Sequence, residues 1–144
     1  MIARRSPIVQ LSVRAATPLA LIVAVYAFFA GHNRPGGGFA AGLLLGAVLV
    51  LRTVAGLPQP FRPIPTLAAG GVVAGLVAIA PILWGDVVLD QVVVETTVPL
   101  LGKVKSGTAL IFDAGVTALV VGLVLALLDG FGAEQLSGPA GVDE

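Results

Sequence analysis

The chain has 144 residues, and its composition excludes an ordinary soluble domain. Charged residues make up 11% of the sequence, whereas soluble domains carry roughly 25%. Hydrophobic residues reach 57%, with a mean hydropathy of +1.03. Eight basic and eight acidic residues balance to zero net charge, which argues against nucleic-acid binding. The lack of Cys and the single His exclude disulfides, Cys-based metal sites and sites built from several imidazoles.

Charged residues separate four apolar stretches, each close to the ~20 residues that cross a bilayer as a helix. The predicted spans lie near residues 9–30, 39–57, 66–84 and 107–128. They should be helical because unpaired backbone groups are too costly in lipid. We therefore expect an all-α integral membrane protein. Residues 1–130 form its four-helix transmembrane domain, and residues 131–144 form a mobile, acidic tail.

The distribution of Arg and Lys predicts the orientation in the membrane. One side carries five basic residues, and the other carries three: Arg4, Arg5, Arg14, Arg52 and Arg62 against Arg34, Lys103 and Lys105. Because basic loops favour the cytoplasmic side, we expect both termini to be cytoplasmic.

The connections between the spans differ in character. The first, Gly31–Gly38, is rich in glycine, which permits positive φ angles and close backbone approach. The second contains four prolines and should be extended and stiff, with Thr66 capping the third helix. We expect Pro81 to bend the end of that helix. The third connection, residues 86–106, is compatible with an extended or an interfacial segment.

Small residues at helical spacing predict the faces on which the spans pack closely. Such faces occur on the second, third and fourth spans: Gly42 and Gly46; Gly71, Ala74, Gly75 and Ala78; Gly115, Gly122 and Ala126.

Asp113 is the acidic residue that lies well inside a predicted span. If the helix begins near Ser106, Asp113 lies about 10 Å along it, where an ionisable group normally faces protein or water. Asp113 and Thr117 share one helix face, and Gly115 and Gly122 lie nearly opposite. Since both faces need protein neighbours, we expect partner subunits.

The residues leave several roles open for these polar groups. Asp113 either exchanges a proton or ligates Na⁺ with Thr hydroxyls and backbone carbonyls, or it pairs permanently with Lys103, Lys105 or a partner's cation. His32 titrates near neutral pH and suits either a proton relay or a turn-stabilising role. Arg52 lies near a helix end, from which its side chain can reach the headgroups.

Enzyme activity and metal binding find no support in the sequence. The glycine-rich loop lacks the Lys and Ser or Thr that a phosphate-binding loop requires after its last glycine. The serines and His32 lie in loops or near helix ends, so no nucleophilic constellation forms. We predict no catalytic residues and no metal site.

Two separated motifs resemble those of a known family. The first is the string from Gly31 to Phe39, which follows one apolar span and contains His32 and Pro35-Gly36-Gly37-Gly38-Phe39. The second is the stretch from Gly107 to Val116, which contains Phe112-Asp113-Ala114-Gly115-Val116. In this order, on a four-span plan, they resemble the small B-type component of the multisubunit Mrp-type Na⁺/H⁺ antiporters of the bacterial cell membrane.

The resemblance implies a function that composition and spacing do not show. Complexes of this family exchange cytoplasmic Na⁺ for external H⁺, and two large subunits that resemble those of respiratory complex I carry the main proton path. The B-type component is a small accessory protein needed for assembly and activity. The resemblance thus implies the other subunits and the lipid bilayer as partners, and Na⁺ and H⁺ as transported ions with no cofactor. Its motif residues fall on His32, Pro35, Gly36, Gly37, Gly38, Phe39, Asp113 and Gly115.

Three hypotheses therefore remain at the level of the sequence. In the first, Asp113 lines or steadies an ion path at a subunit interface, and the glycine loop lets a partner's backbone approach. In the second, the chain is a self-sufficient homodimeric transporter of the small multidrug type, although its first span lacks the carboxylate that such exporters need. In the third, it is a purely structural assembly subunit.

Overall fold

The structure is a computed structural model that describes residues 6–31, 36–85, 87, 93–98 and 102–131. Its elements are helices α1 (Pro7–Ala30), α2 (Gly38–Val54) and α3 (Pro63–Ile79), strands β1 (Val93–Val98) and β2 (Gly102–Gly107), and helix α4 (Thr108–Gly130). A short 3₁₀ helix, Ala80–Trp84, extends α3. The predicted tail beyond residue 131 lies outside the described residues.

Three of the described helical segments are long and apolar enough to cross a membrane: Pro7–Ala30, Pro63–Leu83 and Thr108–Gly130. Helix α2 is equally apolar but shorter, with 17 residues. All four lie at the positions of the predicted spans, and their length and apolar composition fit a helical, multi-pass membrane protein. The change from α-helix to 3₁₀ helix occurs just before Pro81, because proline cannot donate the backbone hydrogen bond that would continue α3.

A β-hairpin occupies part of the connection between α3 and α4. Strands β1 and β2 pair antiparallel, with Val93 opposite Gly107 and Val98 opposite Gly102. Helix α4 begins at the residue that follows β2. The hairpin departs from the expected all-α class. It shows that this part of the third connection, whose conformation the sequence left undecided, is extended.

The start of α3 corrects the expected cap. The helix begins at Pro63, three residues before Thr66, and Arg62 is its N-cap residue. Proline is favoured in the first turn because its missing N–H has no partner there in any case. The Thr66 hydroxyl instead donates to the Arg62 carbonyl from inside the helix, at 2.7 Å.

The four helices form a row in the order α1–α2–α4–α3, since the extensive helix contacts of the described residues join α1 to α2, α2 to α4 and α4 to α3. Helices α2 and α4 run parallel, with Gly42 against Val120 and Gly46 against Val124. Leu49, Val121 and Leu125 form the buried cluster between them. Helix α1 is peripheral, and Ala24 is its buried residue.

The close contact between α3 and α4 depends on glycines, which have no side chain. A Cβ at Gly70 would collide with the backbone nitrogen of Leu119, and one at Gly122 would collide with the backbone nitrogen of Leu67. A Cβ at Gly115 would stand 2.7 Å from the backbone nitrogen of Ala74. The helices therefore run antiparallel with their backbones in close approach, as small residues permit in membranes.

The packing face of α3 differs from the predicted one. Gly70 and Ala74 are buried against α4, whereas a Cβ at Gly71 would meet only the tip of Leu119, at 3.9 Å, and a Cβ at Gly75 would meet nothing within 4 Å. Gly71 and Gly75 lie one residue further round the helix, which turns them away from α4. The predicted face on α4 is correct at Gly115 and Gly122.

This packing predicts different effects on stability for the same substitution at two glycines of α3. Gly70→Ala should destabilise the protein by ~1–3 kcal/mol because the added methyl group forces the α3 and α4 backbones apart. Gly75→Ala is the matched control and should be neutral or stabilising, since alanine favours helix and the site is open. Thermal unfolding of the purified variants in detergent measures both effects. Equal stability of the two variants would contradict the observed packing of α3.

Candidate functional site

The glycine-rich loop ends in a turn that only glycine adopts readily. Gly37 has a φ of +92° and is the N-cap residue of α2. Its backbone N–H donates to the Ala27 carbonyl of α1 at 2.9 Å, and its carbonyl accepts from the N–H of Ala41 at 3.0 Å. The turn thus joins the end of α1 to the start of α2.

Three further glycines of this loop allow the chain to approach its own backbone. A Cβ at Gly31 would collide with the backbone of Gly37, and one at Gly36 would stand 2.5 Å from the Ala27 carbonyl oxygen. A Cβ at Gly38 would collide with the carbonyl oxygen of Asp113. The close approaches at these glycines are made by α1, α4 and the loop itself, and the hypothesis that the loop also admits a partner's backbone stays a prediction.

Asp113 lies beside this turn. It is half-buried, is the sixth residue of α4, and stands level with the first residue of α2. A Cβ at Gly37 would be 3.5 Å from Oδ2 of Asp113 and 3.9 Å from Oδ1. Within the described residues, the carboxylate has no hydrogen bond or ion pair. The nearby N-terminus of α2 carries a partial positive charge, which favours an acidic neighbour.

Thr117 connects the two helices one turn further along α4. Its hydroxyl lies 2.9 Å from the carbonyl oxygen of Gly38 and 2.8 Å from that of Asp113, so its single proton is shared between two acceptors. The oxygen of Thr117 keeps its lone pairs, because the hydroxyl acts only as a donor in both contacts. Asp113, Thr117, Gly37 and Gly38 therefore form one cluster between α2 and α4.

The two faces of α4 are both covered by the chain itself. The face with Asp113 and Thr117 packs against α2, and the face with Gly115 packs against Gly70 and Ala74 of α3. The predicted division into two faces is correct. Because the row order places α4 between two helices of the same chain, these two faces are not the reason to expect partner subunits.

Of the remaining predicted site residues, Phe39 and Gly115 are not part of this cluster, and others lie outside the described residues. Phe39 is exposed at the start of α2, and Gly115 serves the packing of α3. His32 and Pro35 lie outside the described residues, as do the side chains of Lys103 and Lys105. Among the residues that the structure describes, no group of three acidic or His side chains is placed to hold a metal ion.

The sequence contained an unused signal for this cluster. Gly38, Gly42 and Gly46 recur at every fourth position, and all three face α4. We recognised Gly42 and Gly46 as a packing pair but assigned Gly38 to the loop. Extending the same spacing by one turn would have predicted that the motif glycine Gly38 meets another helix.

Comparisons with known proteins identify the family. Residues 8–126 match the family model described as a domain related to the MnhB subunit of Na⁺/H⁺ antiporter. A protein named antiporter subunit mnhB2 from Staphylococcus aureus (strain MRSA252) is 34% identical over 111 residues, which cover 72% of this chain and 77% of that protein. The corresponding protein of strain Newman is 33% identical over the same length, with the same coverage of each chain.

A solved structure agrees with this result. The structure of the Mrp complex from Dietzia sp. DQ12-45-1b contains a chain that matches 97% of the present one, with a TM-score of 0.71 and 27% sequence identity. The present chain spans only 16% of that longer chain. These matches confirm the resemblance carried by the two motifs, and the chain belongs to the family of domains related to the MnhB subunit of Na⁺/H⁺ antiporter.

Proposed function

We propose that this protein is a small membrane subunit of a multisubunit antiporter complex that moves Na⁺ out of the cell and H⁺ in. Its family is named after an antiporter subunit, and its S. aureus relatives carry the same designation. Its fold recurs within a longer chain of a solved Mrp complex. Other subunits of such a complex, including the large complex-I-like ones, are its partners.

In this proposal all four helices cross the bacterial cell membrane. Helix α2 is about 26 Å long at ~1.5 Å per residue, slightly less than the hydrocarbon core of ~30 Å. The glycine turn at Gly37 makes up for the short α2, because the turn itself lies below the end of α4. It meets α4 at Asp113, more than one turn inside that helix. Both termini lie in the cytoplasm, on the side of Arg14, Arg52 and Arg62.

The carboxylate of Asp113 is the observation that supports a direct role in ion exchange. An ionisable group inside a membrane helix costs a few kcal/mol and is commonly retained for function. The Asp113 carboxylate has no partner among the described residues, and the Thr117 hydroxyl and the Gly38 carbonyl belong to the same cluster. Oxygen ligands of this kind suit Na⁺, and the carboxylate itself accepts H⁺. Thr117 steadies the cluster, and His32 relays protons from the loop.

A purely structural role is the second candidate function. It is favoured by the backbone of Asp113, whose carbonyl oxygen contacts both Gly38 and the Thr117 hydroxyl. In that case the motif is retained for packing, and the carboxylate contributes nothing to exchange. The homodimeric exporter loses its support, because the chain belongs to a family related to an antiporter subunit.

Replacing the carboxylate separates the two candidate functions. In the assembled complex, Asp113→Asn should lower Na⁺/H⁺ exchange about tenfold or more, equivalent to ~1.4 kcal/mol, while complex yield stays unchanged because the amide has the same shape. Exchange is measured with a pH-sensitive dye in vesicles containing the purified complex.

Asp129→Asn is the matched control for this experiment. Asp129 lies on the same helix, near its end, and is exposed, so the same chemical change there should leave exchange unaffected. Full activity of Asp113→Asn would remove the carboxylate from the mechanism and leave the structural role.

The orientation is tested with single cysteines, which the Cys-free sequence makes unambiguous. Val87→Cys, beyond one end of α3, should react with a membrane-impermeant maleimide on intact cells. Pro60→Cys, before the other end of α3, should react only in inverted vesicles. A permeant maleimide serves as the control for accessibility of both sites. The reverse pattern would overturn the orientation, and labelling of both sites from one side would show that α3 does not cross the membrane.

A further inference from the structure

A cavity of about 370 Å³ opens on one side of the helix row. All four helices contribute to its walls: α1 through Leu21 and Phe28, α2 through Leu45 and Leu49, and α3 and α4 through the residues discussed below. An engineered apolar cavity of roughly 150 Å³ already stays free of water and takes up benzene. The present cavity is large enough for a longer hydrocarbon, and its walls lie within the membrane-spanning segments.

The polar groups in the walls have no free proton to donate to an occupant. The Thr66 hydroxyl donates to the Arg62 carbonyl at 2.7 Å, and the Thr117 hydroxyl is shared between two carbonyl oxygens. Both protons are therefore used within the protein. The remaining lining is aliphatic or aromatic, so the cavity favours a purely apolar group.

The cavity also lies between α1 and α4, two helices without an extensive contact. Helix α1 makes its extensive helix contact with α2, yet Leu21 and Phe28 of α1 face the same space as Ala118 of α4. An occupant of this space touches α1 and α4 at once. It therefore supplies contacts between two helices that have no extensive contact of their own.

A basic residue adjoins the cavity wall in sequence. Phe61 and Thr66 line the cavity, and Arg62 lies between them in sequence as the N-cap residue of α3. Arg62 is exposed, and within the described residues its guanidinium makes no hydrogen bond or ion pair. In the proposed orientation it lies at the cytoplasmic surface, where anionic headgroups attract basic residues.

From these features we infer that the cavity binds one acyl chain of an anionic phospholipid whose headgroup phosphate pairs with Arg62. The charge of Arg62 complements the phosphate, and the apolar walls complement the chain. A partner helix is a poorer occupant, because close helix docking in membranes uses small residues. Large side chains such as Leu21, Phe28, Leu45 and Phe61 border this opening.

This inference is tested by measuring which lipid stays bound to the chain. The complex is purified in mild detergent and incubated with equal amounts of phosphatidylglycerol and phosphatidylcholine. This chain is then released in the gas phase and weighed. The wild type should carry one phosphatidylglycerol. Arg62→Gln should lower the ratio of bound phosphatidylglycerol to phosphatidylcholine about fivefold, because only the headgroup contact is lost. Ala118→Leu should lower retention of both lipids, because the added side chain fills the cavity.

Arg14→Gln is the matched control, since Arg14 is an exposed Arg in the first half of α1 that, unlike Arg62, is not adjacent in sequence to a residue that lines this cavity. It should retain the wild-type ratio. A wild-type chain without lipid, or an unchanged ratio in Arg62→Gln, would overturn the inference. Crosslinking from a photoreactive group at Leu21 to a partner subunit instead of lipid would also overturn it. Should Ala118→Leu fail to assemble, Arg62→Gln still decides the outcome, because its exposed side chain is not needed for packing.

Discussion

The close approach of α4 to two neighbouring backbones is the constraint on which the rest of the structure depends. Lipid tails are as apolar as leucine, so helices in a bilayer associate through close van der Waals contact and not through burial from water. On one side Gly38, Gly42 and Gly46 of α2 meet α4, and on the other side Gly70 meets it. Helix α4 adds Gly115 and Gly122 of its own. The row of helices follows from these contacts.

The same constraint determines where the carboxylate of Asp113 lies. Gly38 carries no side chain, and the backbone of Asp113 therefore sits directly against the start of α2. The side chain of Asp113 is thereby brought to the turn at Gly37. The two motifs, which lie about 75 residues apart in the chain, are thus two halves of one contact. Packing and the proposed ion exchange would both depend on these residues, and for this reason only a change confined to the charge separates them.

The spans and part of the packing were predictable from the sequence, because both leave a one-dimensional signal. Charged residues separate the apolar stretches, and the predicted starts lie within three residues of the observed ones. The two faces of α4 followed from helical geometry alone. On α3, however, Gly70-Gly71 and Ala74-Gly75 create two adjacent small stripes. Periodicity cannot decide which of these stripes meets α4. The start of α3 was missed because Thr66 suggested a cap while Pro63 was already suited to the first turn.

The sequence carries no such signal for which helices are neighbours. A sequence shows that α4 has two packing faces but not that α2 and α3 fill them. Beyond Thr117, towards the C-terminal end of α4, a Cβ at Gly42 would stand 2.8 Å from the Cβ of Val120, and one at Gly46 would stand 3.0 Å from Val124. This packing closes the space between α2 and α4. An ion that reaches Asp113 from the side of the glycine loop therefore has no continuation between these helices. If Asp113 lines an ion path, that path therefore leaves the interface between α2 and α4 before Gly42.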